Sequence, residues 1–359
     1  MHPVVIAAGG TGGHVIPALA VADELRRRNI PVVWLGTQAG IEARLIPAAG
    51  IDIRWISVAG LRGKTLLQTL IGPLKLMRSC LQSLALIHSL KPRAVLGMGG
   101  FVSGPVGIAA LILRKPLVLH EQNAVAGMTN RYLSGLARRV FAAFPGAFGS
   151  GVTVQVVGNP VNSVFSKLAS LALPDTESHV EETPLRILVV GGSRGARVLN
   201  ETVPLAIAQL DSSVVVHHQA GVHDGELVRG LYEQLVNAEY IVSEFIENMP
   251  DAYQNADLVI CRSGAMTVTE LSAVALPSIL VPFPYAVDDH QTKNAEHLSS
   301  AGAAVLLPQE ELTPDSLAKV ILSLLTDPTA LGKMRLAARS CFTPCAAAVV
   351  ADGLIEVSI

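Results

Sequence analysis

The strongest constraint on the fold is a unit that occurs twice, once in each half of the chain: a short apolar run, a glycine-rich loop, then residues at helical spacing. In the first half, Pro3 to Ala8 runs into Gly9-Gly10-Thr11-Gly12-Gly13-His14 and a helical pattern from Pro17 to Arg28. In the second half, Arg186 to Val190 runs into Gly191-Gly192-Ser193-Arg194-Gly195 and a helical pattern from Ala196 to Leu210. A buried strand that turns directly into a helix opens a βαβ unit, and glycine at the turn lets backbone N–H groups approach an anion at the helix N-terminus. Further apolar runs alternate with helical segments, as a parallel sheet requires. They fall at Pro31 to Leu35, Ile53 to Ile56, Ala94 to Leu96, Leu117 to Leu119, Val140 to Ala142 and Val154 to Val157. After the second loop they fall at Val214 to His217, Tyr240 to Val242, Leu258 to Cys261, Ser278 to Val281 and Ala304 to Leu307. At about 150 residues per domain, a chain of 359 residues predicts two domains. The expected class is α/β: two Rossmann-like, doubly wound parallel-sheet domains facing each other across a cleft, one at 1–161 and one at 162–342. The apolar segment Cys345 to Ile355 reads as a helix, within a tail 343–359 that packs back on the first domain.

Composition narrows the class. Half of the residues are hydrophobic, yet no apolar run reaches the roughly 18 residues of a membrane span. The first residues enter a strand pattern without the features of a secretory signal, so a cytoplasmic location is expected. Cys80, Cys261, Cys341 and Cys345 are scattered and lack zinc-ligand spacing. The net charge of −2 hides an asymmetry: residues 1–160 hold 16 basic and 5 acidic side chains, and residues 161–359 hold 11 and 24. So polarised a field predicts that the first half meets an anion, whether nucleic acid, a membrane surface or a phosphorylated substrate; solubility and attraction between the halves is the alternative.

The motifs sharpen this. Both glycine loops suit a phosphate, and Ser193 adds a hydroxyl that can donate to it. The helix N-terminus favours a neutral imidazole at His14, the form a general base needs; orienting a substrate or capping the helix is the competing role. A third cluster, Gly97-Met98-Gly99-Gly100-Phe101-Val102-Ser103-Gly104-Pro105, also follows a strand and reads as either a ligand surface or a turn. Neither second strand ends on the acidic residue that holds ribose in dinucleotide-dependent dehydrogenases, since the first runs into Gly36-Thr37-Gln38 and the second into His217-His218-Gln219. No GK[ST] follows either loop, which disfavours an ATPase. His120-Glu121-Gln122-Asn123-Ala124 lacks the second histidine of HExxH, so a zinc protease is disfavoured. Its polar groups follow a strand and are expected to face a ligand, with Asn123 able to bond a sugar hydroxyl; a structural hydrogen-bonded cluster is the alternative. In Cys261-Arg262-Ser263-Gly264-Ala265-Met266-Thr267-Val268-Thr269-Glu270, Thr267 falls where helix amides can hold a diphosphate, and Glu270 can accept both ribose hydroxyls. Helix capping competes for Ser263 and Glu270. Residues 61–78 combine apolar spacing with four basic and no acidic residues, the pattern of a membrane-surface helix or of a core helix with a solvated face.

Taken in order, GGTGGH at 9–14, LRGK at 61–64, GMGGFVSGP at 97–105, HEQN at 120–123, VGNPV at 157–161, VVGGSRGAR at 189–197 and CRSGAMTVTE at 261–270 closely resemble the MurG family of glycosyltransferase family 28. The resemblance covers nearly the whole chain. It implies a GT-B fold and an inverting N-acetylglucosaminyltransferase of peptidoglycan synthesis, at the cytoplasmic face of the inner membrane. Its donor would be UDP-N-acetylglucosamine and its acceptor an undecaprenyl-pyrophosphate-linked muramyl pentapeptide. The second domain would then bind the donor: Ser193 near the diphosphate, Ile246 beside the uracil, Ala265, Met266, Thr267, Val268, Thr269 and Glu270 along phosphates and ribose, and Gln291 on the sugar. Thr11, Gly12, Gly13 and Asn123 would close from the first domain, with His14 the candidate base. No Asp-x-Asp motif is present, so neither a metal nor another cofactor is expected, and the partners are the two substrates and an anionic membrane surface, not nucleic acid. Phe101 stands where the family often has Tyr, and Asn162 where it often has Arg. Another GT-B glycolipid transferase, or a non-catalytic sugar-nucleotide-binding protein that docks on membranes, would share the loops.

Overall fold

The computed structural model describes residues 2–58, 66–173, 184–192, 195–210, 213–235 and 238–358, with backbone alone for the helical residues 66–72. The LRGK motif at 61–64, Ser193, Arg194 and most of the polar stretch before residue 184 lie outside the described residues. The chain divides into two compact units, Met1–Ser163 with Thr343–Ile359, and Val164–Phe342.

The first unit is a seven-stranded parallel sheet. Its strands are β1 (Val4–Ala7), β2 (Val32–Gly36), β3 (Asp52–Trp55), β4 (Ala94–Gly97), β5 (Leu117–Glu121), β6 (Arg139–Ala142) and β7 (Gln155–Val156), in the order β3-β2-β1-β4-β5-β6-β7. Alternate side chains of each inner strand feed opposite cores, as the period of two demands. Val4, Ile6, Val32, Trp34, Leu96 and Val118 pack on one face with the helix Gly12–Arg27. Val5, Ala7, Val33, Leu35, Val95 and Leu119 pack on the other with the helix Gly100–Ile112. The tail returns as the helix Ala346–Glu356, whose Val350, Ala351 and Leu354 are fully buried in the first of these cores. Arg28 to Asp352 and Arg139 to Glu356 are ion pairs at its rim.

The second unit repeats the design. Its strands β8 (Leu185–Val190), β9 (Val214–Gln219), β10 (Glu239–Ser243), β11 (Leu258–Cys261), β12 (Ser278–Leu280) and β13 (Ala304–Leu306) form a parallel sheet in the order β10-β9-β8-β11-β12-β13. Strand order reverses between β1 and β4 in one unit and between β8 and β11 in the other, and such switch points are where open α/β sheets bind ligands. Both glycine loops of the sequence, the third glycine cluster and the 261–270 motif leave strands at these two points. Two expectations shift. The first helix starts at Gly12 rather than Pro17, because the Thr11 carbonyl accepts from the amides of His14 and Val15 and so closes the first turn on the glycines. The run Val154 to Val157 shortens to a two-residue edge strand with a single neighbour, β6.

Candidate active site

In the first unit the glycine loop after β1 is held from below by a side chain the sequence did not flag. Glu42 is fully buried. Its carboxylate accepts from the amide of Gly10 at 3.0 Å, the amide of Thr37 at 2.9 Å and the hydroxyl of Thr37 at 2.8 Å. The loop after β8 has a matching tether of the opposite character. There the side-chain oxygen of Gln219 accepts from the Gly192 amide at 3.1 Å while its Nε2 donates to the carbonyls of Gly192 at 3.1 Å and Glu244 at 3.0 Å. The inner side of the first loop is thus neutralised by an internal anion, whereas that of the second meets a neutral amide. An acid near the end of the second strand does exist, six residues after Gly36, but it serves the loop and not a ribose.

Above Glu42 the loop turns outward. Thr11 and Gly13 are exposed, and Thr11 makes no side-chain cap bond. His14 is half-buried, and its Nδ1 lies 2.9 Å from Oε1 of Gln122. This bond removes the capping role from the ring. The third glycine cluster explains itself here: Gly99 and Gly100 adopt φ of 82° and 70°, and a Cβ on either would stand 3.3 or 3.4 Å from the imidazole. The cluster is a floor against which the ring lies flush. Ser103 anchors that floor by donating to the carbonyls of Ala7 at 2.8 Å and Gly99 at 2.7 Å.

The HEQN motif turns mostly inward, contrary to the expectation that its polar groups face a ligand. β5 continues through Glu121 in the middle of the sheet, so His120, Glu121 and Gln122 are all buried, with hydrogen-bond partners inside the protein. His120 bonds the Gly158 carbonyl at 3.0 Å, and burial pulls its imidazole down to about 4. Glu121 accepts from the Asn123 amide and side chain, the Gly127 amide and the Asn130 side chain. Asn123, half-buried, is the one member of the motif that reaches toward solvent.

In the second unit the motif after β11 builds a helix start. Gly264 precedes the helix Ala265–Val274, and no side chain caps it. Ser263 instead donates to the Gln291 carbonyl at 2.8 Å, which overturns its capping role. Asn294 donates to the Ser263 carbonyl at 3.2 Å, and Gln291 accepts from the Phe283 amide at 2.9 Å, so the loop is stitched to the helix His290–Ser299. Arg262 donates to the carbonyls of Val281 and Pro282 and to Gln309 and stands 5.5 Å from the centre of the Phe283 ring. The six predicted residues from Ala265 to Glu270 separate by face. Ala265, Met266, Val268 and Thr269 are buried, and the Thr269 hydroxyl donates to the Ala265 carbonyl one turn back. Thr267 and Glu270, three apart and therefore on one face, are half-buried. Glu270 accepts from the Tyr253 hydroxyl at 3.4 Å, and burial pushes its carboxyl up to about 7 against that bond. Ile246 is buried beside an exposed Phe245.

These two switch points match known proteins over most of the chain. Residues 4–142 match the glycosyltransferase family 28 N-terminal domain and residues 186–348 the family 28 C-terminal domain. A protein of Alkalilimnicola ehrlichii named UDP-N-acetylglucosamine--N-acetylmuramyl-(pentapeptide) pyrophosphoryl-undecaprenol N-acetylglucosamine transferase is 51% identical over 99% of this chain and 98% of its own. This chain belongs to glycosyltransferase family 28, in its MurG group. A protein of the same name from Methylococcus capsulatus is 49% identical over 98% of each chain. The crystal structure of Acinetobacter baumannii MurG superposes with a TM-score of 0.84 at 38% identity, covering 99% of this chain and 100% of that one. The expected GT-B class, two Rossmann-like units each with a parallel sheet, is the one found.

Proposed function

We propose that this chain transfers N-acetylglucosamine from UDP-N-acetylglucosamine to the 4-hydroxyl of the muramyl residue of undecaprenyl-pyrophosphoryl-muramyl pentapeptide, inverting the anomeric centre. The observation that carries this reading is the near-complete coverage at about half identity by relatives bearing that activity in their names. The second unit binds the donor. Thr267 and the amides at the start of the helix Ala265–Val274, with the loop after β8 and Ser193, hold the diphosphate where the helix dipole favours negative charge. Glu270 accepts the ribose hydroxyls, Ile246 flanks the uracil, and Gln291 addresses the sugar.

The first unit binds the acceptor and supplies the base. The acceptor oxygen attacks C1 as UDP leaves from the opposite face, and its proton passes to Nε2 of His14. Thr11, Gly12, Gly13 and Asn123 are this unit's contributions to holding the donor. No helix among the described residues is long and apolar enough to cross a membrane. A peripheral attachment to the cytoplasmic face of the inner membrane fits an apolar patch on three adjacent helices: Leu74, Met77 and Leu81 on Leu66–Leu90, Ile108 and Ile112 on Gly100–Ile112, and Tyr132 on Met128–Leu133. Residues 73–78 are all exposed, more than a full turn of the first of these helices. Lys75, Arg78, Arg114 and Arg131, exposed on these helices or at their ends, supply the positive charge that an anionic lipid surface requires.

The test is incubation with radiolabelled UDP-N-acetylglucosamine and the lipid-linked muramyl pentapeptide. Label in the lipid product is expected; UDP release only with a different glycolipid, or donor binding without turnover, would replace this reading with one of its alternatives. His14→Ala is expected to lower kcat by about 10²–10⁴ while donor affinity holds, and an unchanged kcat would remove His14 from the mechanism.

A further inference from the structure

Behind His14 runs a chain of polar groups in which every proton is accounted for. Nε2 of Gln122 lies 3.1 Å from the His120 carbonyl and 3.9 Å from the Met98 sulfur, both of which can only accept. The amide is therefore oriented with its nitrogen inward and its oxygen toward His14. Oε1 can only accept, so the His14 nitrogen at 2.9 Å, Nδ1, must carry the hydrogen. His120 closes the chain at its far end. Its Nε2 donates to the Gly158 carbonyl at 3.0 Å, which leaves its Nδ1 to accept from Nε2 of Gln122 at 3.1 Å. Burial keeps His120 neutral, and the Gly158 carbonyl keeps its hydrogen on Nε2.

We propose that Gln122 and His120 are positioning residues that lock neutral His14 in its Nδ1–H tautomer, so that the lone pair of Nε2 is left for the acceptor hydroxyl. The proposal deepens the assignment of His14 as base and rests on it. It also gives the HEQN motif a purpose that its burial alone does not: the motif reaches the reaction through His14 and not through a ligand. The orienting group is an uncharged amide, in contrast to the carboxylate that orients histidine in Ser-His-Asp triads. Among the described residues, Gln122 bonds the ring and the backbone of Gly99 and Gly100 lies against it. The nearest charge along the motif, Glu121, is occupied by Asn123, Gly127 and Asn130. A neutral orienter fixes direction without adding a negative charge to a unit that must receive an anionic lipid pyrophosphate.

The experiment is nitrogen NMR of the full chain labelled with ¹⁵N-histidine, joined to pH–rate profiles of two variants. In the wild-type protein at alkaline pH, His14 Nδ1 is expected to show the shift of a protonated nitrogen and its Nε2 that of a bare one. Gln122→Leu is expected to lose this preference and to lower kcat by on the order of tenfold or more, part of the 10²–10⁴ that a general base contributes, at unchanged donor KM. Gln122→Glu places a carboxylate against the ring and is expected to move the acid limb of the kcat profile to higher pH. A wild-type His14 protonated on Nε2 would overturn the proposal, whatever the variants do. A tautomer lost in Gln122→Leu with kcat unchanged would leave the wiring standing and sink the base assignment instead. A fall in kcat with the tautomer and the acid limb both unmoved would reduce Gln122 to ordinary packing and overturn the proposal.

Discussion

Glu270→Gln is expected to stabilise the second unit while weakening the donor. In the folded protein burial raises the Glu270 carboxyl from 4.5 to about 7, with the Tyr253 hydroxyl, 3.4 Å away, opposing that rise. The native state therefore holds a proton that the unfolded chain releases between these two values, and stability falls as pH rises through that window. Above pH 7 the native carboxylate is charged against its surroundings, and its full cost is present. At 1.36 kcal/mol per pKa unit, with allowance for the residue's partial exposure, that cost is about 2–3 kcal/mol. The amide of glutamine keeps an acceptor for Tyr253 and has no charge to desolvate. At about 2–4 °C per kcal/mol for a unit of this size, Glu270→Gln should melt about 4–12 °C higher than wild type at pH 8. The difference should shrink as pH is lowered toward 5. Donor binding should move the other way: at pH 8 the variant loses a charge-assisted bond to ribose, worth roughly tenfold or more in Kd. Wild-type affinity should also decline below pH 7 as the carboxylate takes up its proton, and the variant should not follow. Calorimetric melting and donor titration, each from pH 5 to 8, measure both effects. Equal melting temperatures for the two proteins at pH 8 would refute the reasoning, because they would mean that Glu270 carries no penalty to relieve.

Glu42→Ala strands three donors, the half-buried amide of Gly10 and the buried amide and hydroxyl of Thr37, and should lower the stability of the first unit by about 3–5 kcal/mol in scanning calorimetry, with Glu42→Gln costing less. Gly353→Ala puts a Cβ 2.5 Å from the Phe141 ring, so a loss of about 1–3 kcal/mol is expected; adding Phe141→Leu should restore part of it, and no restoration would mean that the clash is not the cause. Met77→Glu with Leu81→Glu should abolish binding to anionic vesicles in a flotation assay while transfer to a water-soluble acceptor analogue continues, and retained binding would move the membrane surface elsewhere.

The strands were legible because a parallel sheet covered on both faces is written as short, continuous apolar runs, and each glycine loop could be seen to follow one. What escaped the sequence depends on groups meeting from separate segments. Glu42 lies six residues beyond β2 and acquires its meaning only when the chain folds its carboxylate under Gly10. Gln219 stands where a dehydrogenase carries its ribose acid, and only the fold shows that it tethers the loop after β8. HEQN was legible as polar and specific, but not as inward-facing, since a strand pattern does not say where a strand stops; β5 carries the motif two residues further into the sheet than its apolar run. Within CRSGAMTVTE the helical period did separate Thr267 and Glu270 from their buried neighbours, and that division is written in the spacing.

The return of the helix Ala346–Glu356 to the first unit sets an order in time. Synthesis delivers residues 1–163 first, but their sheet then lacks Val350, Ala351 and Leu354, three of the fully buried side chains of its core. Every strand and helix of the second unit emerges before those three do. Domains fold as units as they leave the ribosome, so the unit made second is the first to be complete. The nascent first unit waits with one face of its sheet uncovered over Phe141, and a chaperone acting on this protein would find its target there.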